Sequence, residues 1–127
     1  MNKYEQVALL AMDRIKSYNE MPEIAWENAS LKIFKAKTSG QKKGCPKNSF
    51  LGLCEEGMIK GVLQGKYCKK SNSVNKNYVI KALDLICKDK SLIKDKIGLW
   101  RKITDINYNQ QLDVLFILIK NGYIILD

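Results

Sequence analysis

Apolar residues recur at three- and four-residue spacing in two separate stretches of the chain, which is the period of an amphipathic helix. The first stripe consists of Tyr4, Val7, Ala8, Ala11 and Ile15. The second consists of Tyr78, Ala82, Leu85 and Ile86. Each stripe predicts a helix with one face turned toward the core.

Two further helices are predicted around the tryptophans, Trp26 and Trp100. The earlier one starts at Pro22, since proline suits the first helical turn. The later one follows Ser91 as a possible N-cap. Both tryptophans are interpreted as core anchors.

The third helix is predicted to begin at Pro46 and to stop at Gly57, which takes the left-handed conformation after the last turn. Its buried positions are expected to be Phe50, Leu51, Cys54 and Met58. The segment near the C-terminus has an apolar run at 114–119, then Asn-Gly, then a second apolar stretch at 123–126. That pattern fits a helix or a buried hairpin with a tight turn. A helix is favoured here, because the matching segment earlier in the chain is the third helix, which Pro46 and Gly57 frame.

The order of these elements suggests a degenerate internal repeat over residues 1–62 and 75–127. Matches before and at the tryptophans have an offset of 74 residues, and later matches, such as Gly57 with Gly122, have an offset of 65. The first copy is therefore nine residues longer after its tryptophan, and the insertion is rich in lysine. Long loops on a small scaffold often carry function.

A chain of 127 residues with 46% apolar content is long enough for one compact domain with its own core. We expect residues 1–127 to form a single all-α domain, with about six helices in two degenerate three-helix units of the helix-turn-helix type. No apolar run reaches 18 residues, and the first residues lead directly into a helix pattern. The sequence therefore predicts neither a membrane span nor a signal peptide. It predicts a cytoplasmic location.

The two matched third helices differ in polarity, since Gly52 stands where the later copy has Ile117. The face with Lys47, Asn48, Gly52 and Glu55 is therefore expected to be half exposed and open to a partner. Gly52 also has a plainer interpretation, because a helical glycine often lets a second helix pass close by.

All of the net charge of +9 lies between Lys32 and Lys76, where eleven lysines stand against only Glu55 and Glu56. The remaining residues carry equal numbers of basic and acidic side chains, so a general lysine bias does not account for the excess. A localised basic surface predicts a negatively charged partner. Lysine supplies point charges for phosphates and lacks the forked contact with which arginine reads guanine.

A glycine-bracketed loop at residues 39–46 leads from the basic stretch into a helix N-terminus. Free N–H groups and the helix dipole favour an anion there, although the glycine spacing excludes a Walker loop. A generic phosphate site and a merely solvated loop both remain open. The residues expected to bind nucleic acid or another anion are Lys35, Lys37, Ser39, Gln41, Lys42, Lys43, Gly44, Lys47, Asn48, Lys66, Lys69 and Lys70.

A helix, a turn and a glycine-terminated helix, followed by a short glycine-containing segment, resemble a winged helix-turn-helix. Lys47 and Asn48 would then approach the nucleic acid. The small wing would carry Lys60, Lys66, Lys69 and Lys70. The nine residues 37–45 between the helices depart from this pattern, since three or four are usual.

The four cysteines, Cys45, Cys54, Cys68 and Cys87, are too widely spaced for zinc ligands, and the chain has no histidine. No metal and no cofactor are expected, and the four should be free thiols, largely buried. Cys45 is the candidate reactive thiol, since it lies at a helix N-terminus among lysines while Cys54 and Cys87 lie on apolar stripes. Without a histidine base, we expect the protein not to be an enzyme.

Two segments, residues 41–47 and residues 50–57, carry a family resemblance. Their sequences are Gln-Lys-Lys-Gly-Cys-Pro-Lys and Phe-Leu-Gly-Leu-Cys-Glu-Glu-Gly. With the preceding Trp26-Glu27, they resemble a family of small uncharacterised bacterial proteins. The resemblance covers most of the chain. It implies a stand-alone domain of unknown function and transfers no site residues.

These features together predict a small helical protein that binds the phosphates of DNA or RNA through a lysine-rich loop and a helix N-terminus. The alternative is an adaptor or inhibitor that docks on an acidic protein. A thiol-dependent enzyme using Cys45 is the least favoured hypothesis. Phe34 and Phe50 are expected to be buried, so duplex or structured backbones are favoured over stacked single strands.

Overall fold

The computed structural model describes residues 1–68 and 73–126, and every regular element within them is helical. The predicted all-α class is confirmed. The elements are α1 (Lys3–Tyr18), α2 (Pro22–Phe34), α3 (Gly44–Glu55), α4 (Val74–Lys88), a 3-10 turn (Lys90–Lys94), α5 (Lys96–Ile103) and α6 (Gln111–Lys120). None of these helices is both long and apolar enough to cross a membrane.

One helix start agrees with its prediction and two differ from it. Helix α3 begins at Gly44, two residues before the predicted Pro46. Pro22 occupies the first turn of α2, as predicted. Ser91 is not the N-cap of α5, because it lies inside the 3-10 turn. Asp95 caps α5 instead, and its side chain accepts a 3.0 Å hydrogen bond from the N–H of Gly98.

Helix α6 lies at the centre of the fold, where it packs against α1, α3 and α4. Contact on three sides explains why residues 114–119 are apolar without interruption, since even Phe116 and Ile119, which are only partly buried, pack against the core. Leu112, Val114, Leu115 and Leu118 are fully buried. The helix interpretation of this segment is confirmed, and the hairpin alternative is wrong.

From neighbour to neighbour, the packing runs α2, α1, α6, α3, α4, α5, with further contacts of α6 with α4 and of α2 with α3. The last helix of the chain is thus inserted between the first and the third, and these contacts do not divide the helices into two separate three-helix units. Trp26 and Trp100 are 1% and 2% exposed, so both are core anchors as predicted.

The ends of α3 and α6 nevertheless have the same backbone geometry at the predicted offset of 65 residues. Gly57 and Gly122 have φ angles of 69° and 78°. One residue later, the N–H of Met58 donates to the Leu53 carbonyl at 3.1 Å, and the N–H of Tyr123 donates to the Leu118 carbonyl at 2.9 Å. Met58 itself is 40% exposed, so its predicted burial is wrong: the left-handed turn carries it out of the helix. The internal duplication stays a prediction.

Helix α3 is buried along most of its length, so its predicted half-exposed face is wrong. Gly52 is buried against α4, and a Cβ atom at this position would lie 2.6 Å from the Cβ of Lys76. The plainer interpretation of Gly52 therefore applies, since its missing side chain lets α4 pass close by. Only the first turn of α3 reaches the surface.

The segment after α3 does not form the predicted wing within the described residues. Residues 57–68 contain no strand, and no strand occurs elsewhere in residues 1–68 and 73–126. Lys69 and Lys70 lie outside the described residues. Lys60 donates its backbone N–H to the Tyr123 carbonyl at 2.7 Å, which ties this segment to the end of α6.

Candidate functional site

The lysine-rich loop between α2 and α3 is held in place by its own backbone and by α1. Tyr4 of α1 donates its hydroxyl to the Gly40 carbonyl at 3.0 Å. The N–H of Gln41 donates to the Thr38 hydroxyl at 3.1 Å. With its backbone fixed in this way, the loop exposes the predicted anion-binding residues Lys35, Lys37, Ser39 and Lys42.

Gln41 is an anchor of this loop and is not accessible to an anion. It is 3% exposed, and its side-chain amide donates to the Ser30 hydroxyl at 2.8 Å and to the Glu27 carboxylate at 3.3 Å. The prediction that Gln41 binds an anion is corrected on this ground. Its side chain attaches the loop to α2.

Lys43 is also engaged within the protein. Its ammonium group donates to the side-chain carbonyl of Gln110 and lies 5.5 Å from the centroid of the Tyr4 ring. Gln110 precedes α6 and has a φ angle of 64°. Lys43 thus joins the loop to the start of α6, and its charge faces those groups rather than open solvent.

A groove of about 560 Å³ opens where the first turns of α3 and α4 approach each other. Its lining residues are Glu23, Lys42, Gly44, Lys47, Asn48, Leu51, Tyr67, Ser73, Val74 and Asn75. Neither N-cap residue, Lys43 of α3 or Ser73 of α4, forms a capping hydrogen bond with its side chain. The first-turn N–H groups of a helix have no intrahelical acceptor, and the helix dipole is positive there. Two such ends beside Lys42 and Lys47 make this groove electropositive.

Glu55 builds the wall of the groove that carries Tyr67. Its carboxylate is 6% exposed and accepts the N–H of Tyr67 at 2.6 Å, the N–H of Cys68 at 2.7 Å and the ammonium of Lys76 at 3.0 Å. Burial raises the pKa of Glu55, but the hydrogen bonds from Cys68, Lys76 and Tyr67 outweigh it, and the pKa is lowered. Glu55 was expected on the half-exposed face of the third helix, and it is buried instead because α4 and the segment after α3 both fold onto it.

Tyr67 is held on this wall at both ends. Its N–H is bound by Glu55, and its hydroxyl donates to the Leu63 carbonyl at 2.7 Å. Gly65 makes room for this arrangement, since a Cβ atom there would lie 2.9 Å from the Tyr67 hydroxyl. Burial raises the pKa of Tyr67, and the neighbouring Cys54 and Glu23 add to the effect.

Two carboxylates accompany the lysines of the groove. Lys47 lies 3.9 Å from Glu27, whose side chain is 48% exposed, so that contact is a weak surface pair. Glu23 is in the first turn of α2 and lines the groove itself. Its Oε2 atom is buried and accepts no hydrogen bond from residues 1–68 or 73–126.

Other predicted contacts lie away from this groove. Lys60 borders a second groove of about 350 Å³, together with Lys16 and Tyr123. Lys66 is exposed next to Tyr67. The first groove therefore brings together Lys42, Gly44, Lys47 and Asn48 of the predicted set, while the remaining described residues of that set do not line it.

The thiols differ from expectation at one position. Cys45 is half-buried in the first turn of α3, and Cys54 and Cys68 are buried, but Cys87 is exposed on α4. The prediction that Cys87 lies on the apolar stripe of α4 is wrong, since the neighbouring Ile86 occupies the buried position. Burial raises the pKa of Cys54, and burial together with Glu55 raises the pKa of Cys68 to about 11. No group of three or more potential metal ligands occurs in the described part of the chain.

Sequence reasoning missed Glu23, Ser73 and Asn75 as lining residues. Glu23 looks like an ordinary acid in a first helical turn, where the dipole favours it. Ser73 and Asn75 enter the groove only because α4 crosses α3 at Gly52. No local signal in the sequence identifies that crossing.

The model of one protein family, described as a family of unknown function (DUF6979), matches residues 1–125. No curated protein and no solved structure matches the chain. The family match extends over all of the described helices rather than over one segment.

Proposed function

The chain belongs to this family of unknown function, and we propose that it binds the phosphate backbone of nucleic acid. One observation carries the proposal: two helix N-termini, neither capped by the side chain of its N-cap residue, meet in one groove beside Lys42 and Lys47. Helix N-termini and lysines both stabilise phosphate oxygens.

The charges around the groove support the same partner. Glu55 and Glu56 are the only acids between Lys32 and Lys76, and both are paired with Lys76, at 3.0 and 2.8 Å. They are thus directed toward Lys76 and away from the loop. Four exposed lysines of the predicted set, Lys35, Lys37, Lys42 and Lys66, form no ion pair within the described residues.

The burial of α3 supports contact with the backbone rather than with base edges. A recognition helix must present a long exposed face to the major groove, whereas α3 exposes only its first turn. Lysine contacts to phosphate carry little sequence information. Binding is therefore expected to be weak in sequence preference and strong in salt dependence.

The test is a pair of matched triple variants, assayed by fluorescence anisotropy with a labelled duplex DNA and a labelled hairpin RNA. Lys35→Gln, Lys37→Gln and Lys42→Gln together should weaken binding at least about tenfold at low salt, because three phosphate contacts are lost. Lys90→Gln, Lys94→Gln and Lys120→Gln remove the same charge from exposed positions elsewhere and should have a small effect.

Equal weakening by the two triple variants would mean that diffuse charge, and not this surface, attracts the nucleic acid. Binding of neither probe at low salt would contradict the proposal and favour the acidic-protein alternative. Circular dichroism melts of both variants establish that they are folded.

A further inference from the structure

Glu23 contributes a carboxylate to the lining of the groove, and a phosphate backbone alone has no group that binds a carboxylate. A buried acceptor without a donor is costly, and native proteins seldom leave one unpaired. The Oε2 atom of Glu23 is such an acceptor among the described residues, and its side chain lines the groove. Phosphate diesters have no donor to offer and repel a carboxylate. The groove therefore suits a ligand that carries an anion at one point and hydrogen-bond donors at another.

The other lining residues form a positively charged part and an apolar part of the groove, and both suit such a ligand. Lys42, Lys47 and the α3 N-terminus supply positive charge, while Leu51 and Tyr67 supply apolar and aromatic surface. The volume of about 560 Å³ lies within the range of small-molecule sites, roughly 300–1,000 Å³. The groove is large enough for a whole ligand rather than for a single ion.

We propose that this groove is a site for a phosphorylated ribonucleoside. The phosphate lies at the α3 N-terminus beside Lys42 and Lys47, the ribose hydroxyls donate to the Glu23 carboxylate, and the base packs against Leu51 and Tyr67. Ribose hydroxyls are the donors that distinguish RNA from DNA. The inference rests on the proposed function, since it uses the same groove with Lys42 and Lys47, and deepens it by specifying the sugar.

The ligand chemistry has two possible sources, a free ribonucleotide and the phosphorylated 5′ end of an RNA. The first arm of the test uses the free compounds AMP, dAMP and adenosine in titrations followed by amide NMR shifts. AMP should bind about tenfold more tightly than dAMP, the value of one hydrogen bond to a charged group. Adenosine should bind more weakly than AMP, and the shifted amides should include Asn48, Tyr67 and Asn75.

Glu23→Met is the decisive variant, since methionine keeps the length of the side chain but has no oxygen to accept from a ribose hydroxyl, whereas glutamine would keep one. It should bring the affinities of AMP and dAMP to the same value while binding of inorganic phosphate is retained. Asp13→Asn removes the same charge from an exposed position on α1 and should keep the preference for AMP. Equal affinities of AMP and dAMP for the unmodified protein, or AMP binding without shifts around the groove, would overturn the inference.

The second arm separates the two sources by competition. If a short RNA with a 5′ phosphate displaces AMP and the same RNA with a 5′ hydroxyl does not, the groove takes RNA ends. If neither RNA displaces bound AMP, the groove takes the free nucleotide. Both outcomes presuppose the ribonucleoside preference and support the site.

The ribonucleoside site and the proposed backbone interface can each be contradicted without the other. Polynucleotide binding that responds to Lys35, Lys37 and Lys42, with no detectable binding of AMP, overturns the groove site and keeps the backbone interface. Selective AMP binding without any polynucleotide binding keeps the groove site and overturns the backbone interface.

Discussion

Glu55 is the residue on which most of the local structure around the groove depends. Its carboxylate holds the backbone at Tyr67 and Cys68 and pairs with Lys76 at the start of α4. Both N–H groups donate to the same oxygen, Oε2, whereas Lys76 donates to Oε1. A glutamine that keeps its carbonyl toward the N–H groups therefore turns its amide NH2 toward the Lys76 ammonium, and the two donors face each other. Because both groups are partly or fully buried, the loss is not compensated by water.

We expect Glu55→Gln to lower the free energy of unfolding by about 2–3 kcal/mol, as is usual when one partner of a buried charged network is removed. Urea denaturation at neutral pH measures the change. Glu56→Gln is the matched control, since Glu56 pairs with the same lysine but is 40% exposed, and it should cost under about 0.5 kcal/mol. Equal effects would show that the buried hydrogen bonds of Glu55 are unimportant.

The same network makes stability dependent on pH. The pKa of Glu55 is lowered in the folded protein, so its stabilisation is fully present above the unfolded-state pKa of about 4.3 and is lost as the pH falls through the folded value. The unmodified protein should therefore lose more stability than Glu55→Gln between pH 5 and the acid limit. Parallel pH curves for the two proteins would contradict this assignment.

The four thiols should react in the order of their exposure. Cys87 is expected to alkylate first and Cys45 second, with Cys54 and Cys68 strongly protected because burial raises the pKa of both. Mass spectrometry after a short iodoacetamide pulse at pH 8 gives the order. In denaturant the four should react at similar rates. Rapid labelling of Cys54 in the folded protein would mean that α3 is not buried.

At the scale of elements, the contact between α3 and α4 decides the shape of the groove. Gly52 lies where the backbone of α4 passes, and a methyl group there would lie 2.9 Å from the Cα atom of Lys76. Backbone atoms cannot rotate away as a long side chain can. The two helices must therefore separate to accept any larger residue.

We expect Gly52→Ala to lower the free energy of unfolding by about 3 kcal/mol, because an overpacked contact strains both helices. Gly44→Ala is the control in the same helix, since its added methyl group would only touch Asn48 at 3.5 Å. It should be neutral or stabilising by about 0.5 kcal/mol, the helix preference of alanine. Thermal melts of both variants test the prediction, which fails if Gly52→Ala is as stable as Gly44→Ala.

For the whole molecule, the exposed lysines Lys35, Lys37, Lys42 and Lys66 set the expected salt dependence of nucleic-acid binding. If all four neutralise phosphates of a duplex, log K should fall with log salt at a slope of about −3.6. The triple variant of Lys35, Lys37 and Lys42 should reduce that slope to about −1. Anisotropy titrations between 50 and 300 mM salt measure it, and an unchanged slope would place the phosphate contacts elsewhere.

The sequence by itself determined the local features of this protein. Helical spacing of apolar residues, Pro22 at a first turn and the left-handed Gly57 all depend on neighbours within a few residues, so the all-α class and most helix positions could be predicted. Trp26 and Trp100 were identified as core residues because large aromatic side chains seldom stay exposed. The concentration of charge between Lys32 and Lys76 is likewise visible in the chain alone.

Only the tertiary structure decided which of those residues meet. The insertion of α6 between α1 and α3 buries α3, and the crossing of α4 at Gly52 brings Ser73 and Asn75 to the first turn of α3. The same packing buries Glu55 and carries Lys60 to a different groove from Lys42. These contacts join residues far apart in the chain, and periodicity and spacing report only on near neighbours. The groove is for that reason a property of the packing and could not be predicted from any one segment.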